Sequence, residues 1–203
     1  MKKEFDNRNL NEALELLGAM LERQSSRHYT LVVCGGSALI TMGLVSRTTK
    51  DVDVVAMQDE YCNILPIREI PAELQEIAGA VAEQLQLPDN WLNAGPGPII
   101  NRNLPHMGLP EGFSGRLTQF KYGGNLTVSF ISRLDQVFFK TFAAADKGGP
   151  SYHLDDLLKL KPAAQELLEA ARWSMIQDPS PAFRTTLEQM FNSIGFPDAA
   201  SKI

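Results

Sequence analysis

Two aspartates one residue apart, Asp51 and Asp53, interrupt an apolar run, Asp51-Val52-Asp53-Val54-Val55. In a strand, residues i and i+2 share a face, so both carboxylates point one way while Val52 and Val54 point the other. Two like charges side by side repel, and partial burial adds a desolvation cost. A divalent cation relieves both. Carboxylate oxygens suit Mg²⁺ or Mn²⁺, and Mg²⁺ takes one or two carboxylates together with waters and substrate phosphates.

Upstream lies a second chemical feature. Gly35-Gly36-Ser37 follows the short apolar run Leu31-Val32-Val33-Cys34. Two glycines permit a sharp turn and leave backbone amides uncovered, and Ser37 is expected to cap a helix beginning at Ala38. Amides at such a turn make a phosphate site. The stretch therefore reads as strand, glycine turn, helix, loop and strand. An anion cradle and a metal holder in one unit suit a nucleoside triphosphate with its cation. The connecting loop carries Arg47, Thr48, Thr49 and Lys50. Arg47 and Lys50 read equally well as contacts to triphosphate or a second substrate and as solvated charges that offset the aspartates.

Gly36-Ser37, thirteen intervening residues and then Asp51-Val52-Asp53 together resemble the signature of the nucleotidyltransferase superfamily, the polymerase-β-like fold. The wording CGGSAL…SRTTKDVDVV is most similar to the bacterial AbiEii-type nucleotidyltransferases, several of which are toxins. The resemblance covers Leu31 to about Leu160. It implies an α/β (α+β) fold, a mixed sheet flanked by helices with a C-terminal helical segment. It also implies that Asp51 and Asp53 hold Mg²⁺ or Mn²⁺, and that Gly35, Gly36, Ser37, Arg47, Thr48, Lys50 and Asp156 bind nucleotide. Lys140-Thr141-Phe142-Ala143 matches the family's K-x-x-A. Asp156-Leu157 matches the end of its K/R-D-x-x-D-L element, although His153 stands where the first aspartate is expected. Lys140 joins Asp51 and Asp53 as a catalytic candidate. A lysine within the apolar helix 134–145 needs a partner: a phosphate, an active-site aspartate or, for a snorkelling surface lysine, water.

The resemblance implies transfer of a nucleoside monophosphate from a triphosphate to a hydroxyl or phosphate acceptor, an RNA end or a protein. An antitoxin protein is the implied partner. One departure supports another reading. Many superfamily members carry a third carboxylate on a later strand, and the corresponding run 126–131 holds no Asp or Glu. Ser129 takes the plausible inward position there, and Asp135 falls at the head of the next helix as a cap. A catalytically degenerate nucleotide- or partner-binding module is the alternative. A dinucleotide-binding dehydrogenase fits poorly, because CGGSA lacks the G-x-G-x-x-G order.

The elements around these residues follow from periodicity. Residues 9–27 form an amphipathic helix, with Asn9 or Asn11 as cap, that packs across the sheet. Residues 71–85 form another, opened by Pro71. The following stretch is rich in proline, glycine and asparagine and is expected to be irregular. Within it, Trp91-Leu92-Asn93 resembles a family segment, and Asn93, Asn101, Arg102 and His106 are candidates to line a nucleotide cleft. Runs 119–122 and 126–131 read as strands joined at Gly123-Gly124-Asn125. The C-terminal third is helical, with Trp173 and Met175 expected to dock on the stripe Phe183, Leu187, Met190, Phe191 and Ile194. Residues 1–160 are expected to form the nucleotidyltransferase-like domain and 161–203 a helical appendage.

The chain has 203 residues, 44% hydrophobic and 21% charged, with a formal net charge of −5. That suffices for a real core and argues against broad nonspecific nucleic-acid binding, which needs basic surfaces. Two cysteines, Cys34 and Cys62, without metal-ligand spacing suggest a reducing compartment. The start MKKEFDNRNL lacks the apolar core of a signal peptide, and no run is long enough to span a membrane, so a cytoplasmic protein is expected.

Overall fold

A computed structural model describes residues 3–97 and 108–203. They fall into two compact units, one holding 3–97 and 112–131, the other 108–111 and 132–203.

The first unit opens with α1, Asn7–Gln24. Its cap is Asp6, in extended backbone, whose carboxylate accepts the Asn9 N–H at 2.8 Å. The helix thus begins before Asn9, because Asp6 offers the acceptor that the first turn needs. Leu10, Leu14, Leu17 and Leu21 are buried. There follow β1 (Tyr29–Cys34), α2 (Gly35–Thr41), β2 (Val52–Gln58), β3 (Ile64–Pro66), α3 (Ala72–Leu85), β4 (Leu92–Asn93), a 3₁₀ turn (Phe113–Arg116), β5 (Thr118–Lys121) and β6 (Leu126–Phe130). Pro71 stands at the cap of α3, just outside the helix it was expected to open.

The sheet is mixed and flanked by helices. Its order is β3-β2-β1-β6-β5, with β4 paired to β2. β1 runs parallel to β6 and β4 parallel to β2, while the other pairs are antiparallel. Leu31, Val33, Val52, Val54, Leu126, Val128 and Phe130 share one buried cluster with the apolar faces of α1 and α3. A bulge at Val55 of β2, opposite the step from Val32 to Val33, resets the alternation on β2.

The second unit is helical: α4 (Arg133–Lys147), α5 (Tyr152–Lys159), α6 (Ala164–Gln177), α7 (Pro181–Ser193) and α8 (Pro197–Ala200). Ser132, Ser151 and Ser180 cap α4, α5 and α7. Asp135 is therefore not the cap of α4; it sits in the first turn and accepts the Ser132 hydroxyl at 2.6 Å. Trp173 stacks on Phe139 at 5.4 Å and meets Phe138 and Phe142 edge-on. Phe142 also meets Phe183 of α7 at 5.4 Å. The tryptophan is thus seated on the phenylalanines of α4, where its ring contacts lie, and its indole N–H donates to the Gly108 carbonyl. Among the described residues, no helix is long and apolar enough to cross a membrane.

Candidate functional site

The strand pairing decides which way the aspartates face. Val33 pairs with Val54 and Val52 with Leu92, all four within the buried cluster. Asp53 alternates with them and lies on the opposite face, between Cys34 on β1 and Asn93 on β4. Asp51 immediately precedes β2, two residues before Asp53. Both aspartates are half-buried.

The glycine turn lies directly against this pair. Gly35 has φ +71°, and a β-carbon there would come within 2.5 Å of Asp53 Oδ2. A β-carbon on Gly36 would lie 2.6 Å from Thr49 Oγ1 and 3.2 Å from a terminal nitrogen of Arg47. Glycine is required at the first position by conformation and space, and at the second by space alone. Ser37 does not cap α2. The helix starts at Gly35 with Cys34 as its cap, and the buried Ser37 hydroxyl donates back to the Cys34 carbonyl at 3.3 Å.

The loop before β2 is tied down from the N-terminal side. Phe5 and Thr49 exchange backbone hydrogen bonds, Phe5 N–H donating at 2.6 Å and Thr49 N–H at 2.9 Å. Thr48 gives its hydroxyl to the Glu4 carboxylate. Thr49 turns inward, is buried, and donates to Asp51 Oδ1 at 3.2 Å. Arg47 donates to the Thr48 carbonyl at 2.8 Å, and Lys50 is exposed. Gly35, Gly36, Arg47, Asp51 and Asp53 are thus brought together. Thr49, read from the sequence only as part of the Arg47-Thr48-Thr49-Lys50 loop, joins them through its bond to Asp51. Its signal is spacing: Thr49, Asp51 and Asp53 stand two residues apart.

Ser129 heads a neutral network. It is fully buried, donates to Gln58 Oε1 at 2.8 Å and accepts from Gln119 Nε2 at 3.1 Å. It is in register with Val32, two residues before Cys34, which pairs with Asp53. Among the described residues no group of three His, Cys, Asp or Glu is arranged to hold a metal ion. Two half-buried carboxylates beside a glycine turn with no side chain of its own nevertheless fit a hard divalent cation that arrives with phosphates and waters. Asp51 and Asp53 are the residues that would hold it.

In the second unit, two candidates pair with each other. Lys140 Nζ lies 2.9 Å from Asp156 Oδ2, with Lys140 4% exposed and Asp156 fully buried. The ammonium also stands 5.6 Å from the centroid of the Tyr152 ring, which meets His153 at 3.9 Å. Lys140 is therefore not a snorkelling surface lysine. Asn101, Arg102 and His106 lie outside the described residues.

A family model described as "Nucleotidyltransferase of unknown function (DUF6036)" matches residues 8–150. No curated protein and no solved structure matches the chain.

Proposed function

The chain belongs to this family of nucleotidyltransferases, and we propose that it moves a nucleoside monophosphate from a triphosphate to a hydroxyl or phosphate acceptor, an RNA end or a protein. The reading takes Asp51 and Asp53 as holders of Mg²⁺ or Mn²⁺ and the amides of the Gly35-Gly36 turn as holders of the β- and γ-phosphates. Arg47 adds positive charge beside that turn. Thr49 orients Asp51 by donating to one of its oxygens, which leaves the other for the ligand. A cation held there by Asp51 and Asp53 would supply charge neutralisation of the phosphates and Lewis acidity toward the reacting phosphoryl group. The acceptor oxygen bonds to the α-phosphorus as the bond to the pyrophosphate oxygen breaks, and the acceptor proton leaves to solvent.

The observation that carries this reading is the contact between Gly35 and Asp53. A glycine turn with no side chain of its own and a carboxylate that suits a cation are in van der Waals reach of each other. Phosphate and metal bound at these two places would share one ligand. The motif wording resembles that of the AbiEii-type enzymes, and on that resemblance the proposal extends to a bacterial toxin–antitoxin pair in the cytoplasm, with a protein antitoxin as partner. The test is transfer of label from each α-³²P ribonucleoside triphosphate to total cellular RNA and protein, with and without Mg²⁺. Metal-dependent labelling that Asp53→Asn abolishes supports transfer. No labelling and no metal-dependent nucleotide binding would overturn it.

A second reading has one observation in its favour. No third carboxylate joins the pair among the described residues, and the buried position on β6 is filled by Ser129 in a neutral network. Metal-dependent nucleotide binding without label transfer to any acceptor would identify a binding module.

A further inference from the structure

We infer that Asn93 belongs to this site, that it binds the nucleotide rather than the cation, and that the site takes a single divalent cation. The inference rests on the nucleotide site proposed above. Two residues that pair across adjacent strands share a face, and neighbouring strands lie about 4.8 Å apart. Val52 and Leu92 pair on the buried side; Asp53 and Asn93, the next pair, stand side by side on the other. Asp53 thus has the glycine turn on one flank and Asn93 on the other.

Asn93 is held there by an anchor out of proportion to a two-residue strand. Trp91 is fully buried, donates its indole N–H to the Ala78 carbonyl at 2.9 Å and packs on Phe5 at 5.7 Å. Its carbonyl accepts the Val52 N–H at 2.5 Å, which fixes the register of β4 on β2. Asn93 Oδ1 accepts the Gly95 N–H at 2.8 Å. That bond turns the oxygen toward its own loop, and the amino group is the donor that the side chain brings to the site. A donor suits a phosphate or ribose oxygen and is a poor metal ligand. The position beside Asp53 that could complete a three-carboxylate cluster is therefore neutral, which leaves two carboxylates and, by charge, one cation.

The plain alternative is that Asn93 only closes its own turn, since an Asn or Asp oxygen bonding two residues on is a common turn device. Asn93→Asp separates the two roles. It keeps the turn-closing oxygen, loses the donor and adds a charge beside Asp53. Mn²⁺ binding is counted by electron paramagnetic resonance on the full chain, for the metal alone and with each of the four ribonucleoside triphosphates, in the parent, Asn93→Asp, Asn93→Ala and Asp53→Asn. The parent should bind one Mn²⁺. Asn93→Asp should bind Mn²⁺ alone at least tenfold more tightly or take up a second ion, and should bind triphosphate at least tenfold more weakly at saturating metal. Asn93→Ala should keep the metal and lose triphosphate affinity by a similar factor. If both Asn93 variants bind metal and triphosphate as the parent does, Asn93 is a turn former and the inference falls. If the parent binds two ions, the single-cation claim falls. If the parent and Asp53→Asn behave alike throughout, the site itself is elsewhere and the proposed function falls with it.

Discussion

Gly35 and Asp53 are packed so closely that a β-carbon on the glycine would sit 2.5 Å from the carboxylate oxygen Oδ2. The glycine also holds φ +71°, a conformation that costs an L-residue roughly 1–2 kcal/mol. Gly35→Ala should therefore lower stability by about that amount and push the carboxylate from its place, weakening metal-dependent nucleotide binding. Gly36→Ala has no such backbone penalty, but its new methyl meets Thr49 Oγ1 at 2.6 Å and Thr49 Cβ at 2.9 Å. It should cost less stability and still weaken binding, because Thr49 is the residue that orients Asp51. Thermal melts and nucleotide titrations on both variants check the pair. Parental binding in a folded Gly35→Ala would separate the turn from the aspartates.

The buried Lys140–Asp156 pair predicts a strongly non-additive cycle. Lys140→Met leaves the Asp156 carboxylate buried without its cation, and breaking such a pair costs about 3–5 kcal/mol. Replacing both partners, Lys140→Met with Asp156→Leu, should recover most of that loss, since a pair of apolar side chains carries no desolvation penalty. Urea unfolding of the two single variants and the double variant measures the coupling. The double variant also tests the expectation, from the sequence, that Lys140 meets a phosphate. Triphosphate binding weaker by roughly 1.5–3 kcal/mol, the scale of a charge-assisted hydrogen bond, supports the contact. Parental binding makes the pair purely structural.

Acid should loosen the second unit through Glu166. Arg133 grips this carboxylate with two hydrogen bonds of 2.8 and 2.9 Å and holds its pKa below the ordinary 4.5. The Ala163 N–H adds a third bond at 2.9 Å. Because the folded pKa is lowered, the contribution is present above the unfolded value and is lost as pH falls through the folded one. Both side chains are substantially exposed, so the effect should stay below about 1 kcal/mol. Melting temperature followed downward from neutral pH should fall less steeply below about pH 4.5 in Glu166→Gln than in the parent. Equal acid slopes would show that the pair contributes nothing to folding.

How much of this was legible in the sequence differs by residue. The strand–turn–helix–strand unit and the side of the sheet that Asp53 takes were legible, because a glycine pair and a period-two alternation are local signals. The mixed sheet flanked by helices was implied by the family resemblance which that unit carries. The start of α2 was misplaced by a Ser37 that looks like a cap but lies inside the helix, where its hydroxyl returns to the Cys34 carbonyl. Asn93 was visible as a candidate, but its place beside Asp53 was not. A two-residue strand has no periodicity, and its register is set at a distance by Trp91. Lys140 announced that it needed a partner; that the partner is Asp156, another candidate, depends on how α4 meets α5. Thr49 was hidden by Thr48, an equally polar neighbour that the Glu4 carboxylate takes away.

The central claim is that Asp51 and Asp53 hold a divalent cation for a triphosphate carried by the Gly35-Gly36 turn. Isothermal titration of the four ribonucleoside triphosphates into the parent and Asp53→Asn, with Mg²⁺ and with chelator, tests it most directly. At least one triphosphate should bind the parent only when Mg²⁺ is present, and Asp53→Asn should abolish that binding while melting at or above the parent's temperature, as relief of like-charge repulsion requires. A folded Asp53→Asn variant that binds the Mg²⁺ triphosphate like the parent would contradict the account.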